Sequence, residues 1–131
     1  MAYVRKLEKI LVVEDEPTIR LMLSHALQEE GHEVFMAQSL QAAEEALERH
    51  PVSFVITDIR LSGMQRMEGL ELLQYIKRHR PRTGVIIMTA DLSAEVREKA
   101  YGLGAKHCFE KPFDFTEMMH CVQETGGAAV R

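Results

Sequence analysis

Apolar residues gather into five short runs at fairly even intervals. They are Ile10-Leu11-Val12-Val13, Val34-Phe35-Met36, Phe54-Val55-Ile56, Val85-Ile86-Ile87-Met88 and His107-Cys108-Phe109. Three are continuous and rich in β-branched side chains, as suits strands covered on both faces. Between the runs the apolar positions change to helical spacing. A first helix carries Ile19, Met22, Leu23, Ala26 and Leu27, with Pro17 in its first turn and Gly31 beyond its end. A second carries Leu40, Ala43, Ala46 and Leu47 behind a Ser39 cap, and Pro51 stops it. A third carries Leu70, Leu73 and Ile76 ahead of Pro81. A fourth starts at Asp91 or Ser93, runs to Gly102 and aligns Val96, Ala100 and Leu103. A fifth opens at Asp114, has Glu117 three residues on, and turns Phe115, Met118, Met119 and Val122 inward. Strand and helix alternating five times predict an α/β fold: a doubly wound, five-stranded parallel sheet with five helices on its two faces.

Length and composition narrow the class. The chain has 131 residues, room for one domain with a core of its own. That domain is expected over residues 7–126, with 127–131 as a tail or the start of a linker. An apolar fraction of 46% against 27% charged excludes a disordered or collagen-like chain. A net charge of -4 argues against direct nucleic-acid binding, which favours a basic stripe. No apolar run reaches the length of a membrane span, and the N-terminus lacks a signal-peptide core. Cys108 and Cys121 form neither a C-x-x-C pair nor a zinc spacing, so reduced thiols and a cytoplasmic location are expected. The six histidines show no metal spacing either.

In such a sheet ligands bind outside the carboxyl ends of the strands. The residues following the runs are therefore the candidates: Glu14, Asp15 and Glu16 after the first, Asp58 after the third, Thr89 after the fourth, Lys111-Pro112 after the fifth. Singly each has a bland reading. The acidic triplet could cap the first helix, Asp58 could be a turn residue, and a threonine and a lysine at strand ends mean little. Their joint placement is specific. Crowded carboxylates repel, and one would stay protonated unless a cation neutralised them; a hard ion such as Mg²⁺ suits two carboxylates, water and a phosphate oxygen. A carboxylate can also attack phosphorus, and phosphoryl transfer then needs positive charge on the equatorial oxygens. Asp58, last on its strand, is the natural attacker.

The runs Ile10–Pro17, Val55-Ile56-Thr57-Asp58, Ile87-Met88-Thr89-Ala90 and Phe109-Glu110-Lys111-Pro112-Phe113 together resemble the receiver domains of two-component response regulators, over roughly Lys9 to Glu124. The resemblance implies a flavodoxin-like fold and a set of roles. Asp58 would accept a phosphoryl group from a histidine kinase or phosphotransfer protein. Asp15 would hold Mg²⁺ directly and Glu14 through water, with the Arg60 backbone carbonyl as a third protein ligand. Thr89 and Lys111 would read the phosphoryl group, the Lys111-Pro112 bond would be cis, and the face made by the fourth helix, fifth strand and fifth helix would switch. It implies a regulatory phosphoacceptor that catalyses its own phosphorylation and dephosphorylation, and is no metabolic enzyme. An output domain or downstream protein and a homodimer are compatible with it.

Three departures stand out. The stretch from Asp58 to Gly69 is three residues longer than the family pattern D-x-x-[LM]-P-x-[LM]-[DN]-G, with Ser62 in place of the proline, and Gln65, Arg66 and Met67 could approach the phosphorylated aspartate. Cys108 stands where an aromatic residue is usual, so transmission is expected through residues 90–93 and the fourth helix, with Tyr101 or Phe109 repacking. One of the acidic pair is Glu14. Rival readings are weaker. A haloacid-dehalogenase-type phosphatase would want an aspartate where Arg60 stands, and a flavodoxin-like cofactor binder would need a phosphate loop where Glu14-Asp15-Glu16 stands. The alternative kept is a receiver-like protein-binding module that is never phosphorylated.

Overall fold

The computed structural model describes residues 6–61 and 66–128. Ten elements alternate along them: β1 (Lys9–Val13), α1 (Pro17–Glu29), β2 (Glu33–Ala37), α2 (Leu40–Arg49), β3 (Phe54–Asp58), α3 (Glu68–His79), β4 (Gly84–Thr89), α4 (Ala94–Gly102), β5 (His107–Glu110) and α5 (Phe115–Ala128). All strand pairs are parallel, in the order β2-β1-β3-β4-β5. The doubly wound sheet expected from the periodicity is the one observed.

Side chains alternate across a strand, so each central strand feeds two cores. Leu11, Val13, Val55, Val85 and Ile87 point to one face, where Ala43 and Leu47 of α2, Leu70, Leu73 and Ile76 of α3, and Val96 and Ala100 of α4 cover them. Ile10, Val12, Phe54, Ile56, Ile86 and Met88 point to the other, against Leu23 and Leu27 of α1 and Met118, Cys121 and Val122 of α5. β1, β3 and β4 are thus buried on both sides, which is why their sequence is continuously apolar rather than alternating.

The helix ends follow their local chemistry. Ser39 and Ser93 accept from the N–H groups of Ala42 and Val96 and so cap α2 and α4. Asp114 accepts from Thr116 N–H at the start of α5. Gly31 takes φ 99° just past α1, a conformation that favours glycine. The backbone of α5 is helical through Ala128, so Gly126-Gly127 lies in its last turn; residues 129–131 are outside the described part.

Some expected core positions turn outward. Met22, placed on the buried stripe of α1, is 55% exposed, because α1 rests on the sheet through Leu23, Ser24 and Leu27. Met36 is 47% exposed, because β2 is an edge strand. Phe115 and Met119 are half-buried, while Cys121 is buried with Met118 and Val122. Among the described residues no helix is long and apolar enough to cross a membrane.

Candidate functional site

The strand order reverses between β1 and β3, and there the crevice at the carboxyl rim opens. Val13 pairs with Thr57, so the residues that follow, Glu14 and Asp58, emerge side by side. Asp15 comes next and is exposed, whereas Glu14 and Asp58 are 1% and 8% exposed. Carboxylate oxygens of Glu14, Asp15 and Asp58 lie within 4.8 Å of one another, the one cluster among the described residues that could hold a metal ion.

Lys111, just past β5, reaches into this cluster. Its Nζ lies 2.6 Å from Asp58 Oδ2 and 2.7 Å from Glu14 Oε1. The two buried carboxylates therefore share one ammonium, a short charge-assisted pair of contacts. Burial works against the Lys111 charge, but the hydrogen bonds to Asp58 and Glu14 outweigh it and hold the ammonium above the usual lysine range. Burial also dominates at Glu14 and lifts its carboxyl above the usual carboxylate range, although Lys111 and the Glu16 N–H pull the other way. The Lys111-Pro112 peptide is cis, as the resemblance implied.

Neighbouring backbone completes the pocket. Glu14 Oε2 accepts from Glu16 N–H at 3.1 Å, and Glu14 O accepts from Arg20 NH1 at 2.8 Å. Asp58 Oδ1 accepts from Arg60 N–H at 3.3 Å. Thr89, 3% exposed at the end of β4, lies beside Lys111: its carbonyl accepts from Lys111 N–H at 2.8 Å, and its hydroxyl accepts from Asp91 N–H at 3.2 Å. The bland reading of the acidic triplet holds only for Glu16, whose carboxylate caps α1 through Thr18 and Ile19 N–H. Glu14 and Asp15 belong to the cluster instead. The structure thus brings Glu14, Asp15, Asp58 and Lys111 into one group, with Thr89 and the Arg60 backbone at its margin.

Two features were not legible beforehand. Glu68, the first residue of α3, is 7% exposed, and its Oε1 accepts from Leu61 N–H at 3.1 Å. The sequence marked only its place, just before Gly69 where the family pattern has Asp or Asn; an acid in a first helical turn ordinarily points to solvent, so its burial and its partner were not legible. Arg66 is turned to Glu71 rather than to Asp58, in two hydrogen bonds of 2.7 Å each. A bidentate guanidinium–carboxylate pair accounts for that direction. Ser62 and Gln65 lie outside the described residues. No histidine belongs to the acidic cluster: His32 is buried and its Nδ1 accepts from Glu8 N–H at 3.0 Å, while His25 is exposed beside Glu29.

Comparison with known proteins gives one family. The family model described as the response regulator receiver domain matches residues 10–123. Sporulation initiation phosphotransferase F of Bacillus subtilis is 35% identical over 118 residues, which cover 89% of this chain and 92% of that protein. Regulatory protein AtoC of Escherichia coli is 36% identical over 89% of this chain but only 25% of its own length, so this chain spans about a quarter of that longer relative. Among solved structures, the receiver domain of NtrX from Brucella abortus superposes with a TM-score of 0.82 at 30% identity, covering 90% of this chain and 98% of that one. A strand-end acidic cluster sharing one lysine, on this sheet order and under a family match over nearly its whole length, makes the chain a member of the response regulator receiver domain family of two-component signalling.

Proposed function

We propose that the domain accepts a phosphoryl group on Asp58 from a phosphohistidine of a histidine kinase or phosphotransfer protein, with Mg²⁺ as cofactor. The observation that carries this reading is the Glu14–Lys111–Asp58 arrangement, in which a strand-end carboxylate lies against an ammonium and two further acids. Three crowded carboxylates offer hard oxygen donors, which fits Mg²⁺ rather than a softer ion. Asp15 and Asp58 would hold the ion, with Glu14 acting through water and the Arg60 carbonyl as a further ligand. When bound, Mg²⁺ would supply positive charge for the equatorial phosphoryl oxygens.

The chain's own residues do the rest. An Asp58 carboxylate oxygen forms the new P–O bond as the P–N bond of the phosphohistidine breaks, and the electron pair leaves with the imidazole. Lys111 Nζ stands beside Asp58 Oδ2 and can follow the phosphoryl oxygen when that carboxylate is esterified. The Thr89 hydroxyl accepts from Asp91 N–H and can donate its own hydrogen to the phosphoryl group. Beside Lys111 the surface is an apolar groove of about 380 Å³ formed by Ile19, Met22, Pro112, Phe113 and Phe115, against which the partner that carries the histidine would rest. A cytoplasmic setting and an output, attached or separate, belong to the same proposal.

The test is intact-mass measurement after incubation with phosphoramidate and Mg²⁺. One phosphoryl adduct is expected on the parent and none on Asp58→Asn. An undiminished adduct on Asp58→Asn would move the site elsewhere. No adduct on the parent would leave a protein-binding module.

A further inference from the structure

A backbone carbonyl can serve a metal site only if its peptide plane is turned the right way. The carbonyl in question, that of Arg60, shares its peptide with the N–H of Leu61. That peptide is trans and planar, so its C=O and N–H point in opposite directions, and fixing one aims the other. The turn after Asp58 has its donors fixed one by one. Ile59 N–H goes to Met88 O of β4 at 3.0 Å, Arg60 N–H to Asp58 Oδ1 at 3.3 Å, and Leu61 N–H to Glu68 Oε1 at 3.1 Å. The first two anchors are a neighbouring strand and the phosphoacceptor itself. The third is a buried side chain from another element.

Glu68 is itself held firmly. Gly69 N–H donates to Ile59 O at 2.7 Å, and a Cβ on Gly69 would come within 2.7 Å of Ile59 Cα. The first two residues of α3 therefore sit against the end of β3 with no slack. An acid serving only the helix dipole would do so equally well in water, whereas burying a carboxylate is costly unless it is hydrogen-bonded. We propose that Glu68 is a positioning residue: by holding Leu61 N–H it turns the Arg60 carbonyl towards the Mg²⁺ pocket. This rests on the reading of the Asp58 cluster as a metal-dependent phosphoacceptor site.

The experiment titrates the full chain with Mg²⁺ by calorimetry and follows the Leu61 amide by NMR without metal. Glu68→Ala should weaken Mg²⁺ about tenfold or more, the scale of losing an outer partner of a metal ligand. In the same variant the Leu61 amide should lose exchange protection. Glu68→Gln keeps an accepting oxygen and should stay close to the parent. Glu68→Asp keeps the charge and the preference for a helix start but is one methylene shorter, so it should behave like the alanine variant. Glu71→Ala removes an acid from the same helical turn without touching Leu61 and should leave Mg²⁺ binding as it was. Parent-like affinity in both Glu68→Ala and Glu68→Asp would overturn the proposal. So would a loss in Glu68→Gln as large as in Glu68→Ala, since that would make charge, not the hydrogen bond, the cause. If the parent and Asp15→Asn titrate alike, the cluster is no metal site; the functional reading then falls and takes this inference with it, a result distinct from failure of the Glu68 variants alone.

Discussion

Ser24 lies on the buried face of α1, and its hydroxyl is the one buried side-chain polar atom without a hydrogen-bond partner among the described residues. Leaving such a group unpaired costs about 1–3 kcal/mol, and alanine is also the better helix former. Ser24→Ala should therefore raise stability by about 1 kcal/mol, read as a higher urea midpoint at unchanged slope; a lower midpoint would mean that the hydroxyl has a partner in solution. Cys121, on the buried face of α5, has its thiol pushed up to about 11 by burial, with the Glu124 carboxylate adding to the effect. A folded value above the unfolded one means that the neutral thiol contributes stability in full below the ordinary thiol range. That contribution is lost as pH rises towards and through about 11. Thermal melts from neutral to alkaline pH should show a loss that Cys121→Ala lacks, and at pH about 8 alkylation should label half-buried Cys108 well before Cys121. Equal labelling rates would contradict this.

At the scale of elements, the helices that border the site differ in how they are tied down. α3 begins hard against β3, where Gly69 leaves no room for a Cβ beside the Asp58 and Ile59 backbone. Gly69→Ala must move backbone rather than a flexible side-chain tip. Its cost should reach the upper part of the about 1–3 kcal/mol usual for overpacking, with weaker Mg²⁺ binding as well. Urea unfolding and metal titration check both, and a variant as stable as the parent would show that the close approach relaxes. α4, in contrast, buries only Val96 and Ala100 and is held at its start by the Ser93 cap. Cys108 stands where the family pattern has an aromatic side chain, and Tyr101 of α4 lies over it, its hydroxyl accepting from Cys108 N–H at 3.2 Å. An aromatic group thus stands at the Cys108 position after all, but it arrives from the helix. That contact links α4 to the edge strand.

For the molecule as a whole, the fold was legible because periodicity reports directly on what covers a strand or helix. The continuous runs at residues 10–13 and 85–88 had to be central strands, and they are. The acidic cluster was legible because parallel strands share one carboxyl rim, so Glu14, Asp58, Thr89 and Lys111 could be gathered without knowing a single contact. Met22 sits on the apolar spacing of α1 yet faces outward, because periodicity cannot say where a helix face ends. Glu68 escaped because its meaning lies in a hydrogen bond to an amide seven residues back, across a segment whose length alone gives no direction. That same bond closes the chain between Leu61 and Glu68 at its base, while Gly69 locks the far side to β3. Leu61 and Glu68 are thus fixed to each other, so the length of chain that joins them should matter little to the acidic cluster, since closure entropy grows only slowly with length. Sequence inserted between them should therefore leave the Glu14–Lys111–Asp58 contacts in register, which makes this stretch a cassette into which foreign recognition sequence can be grafted.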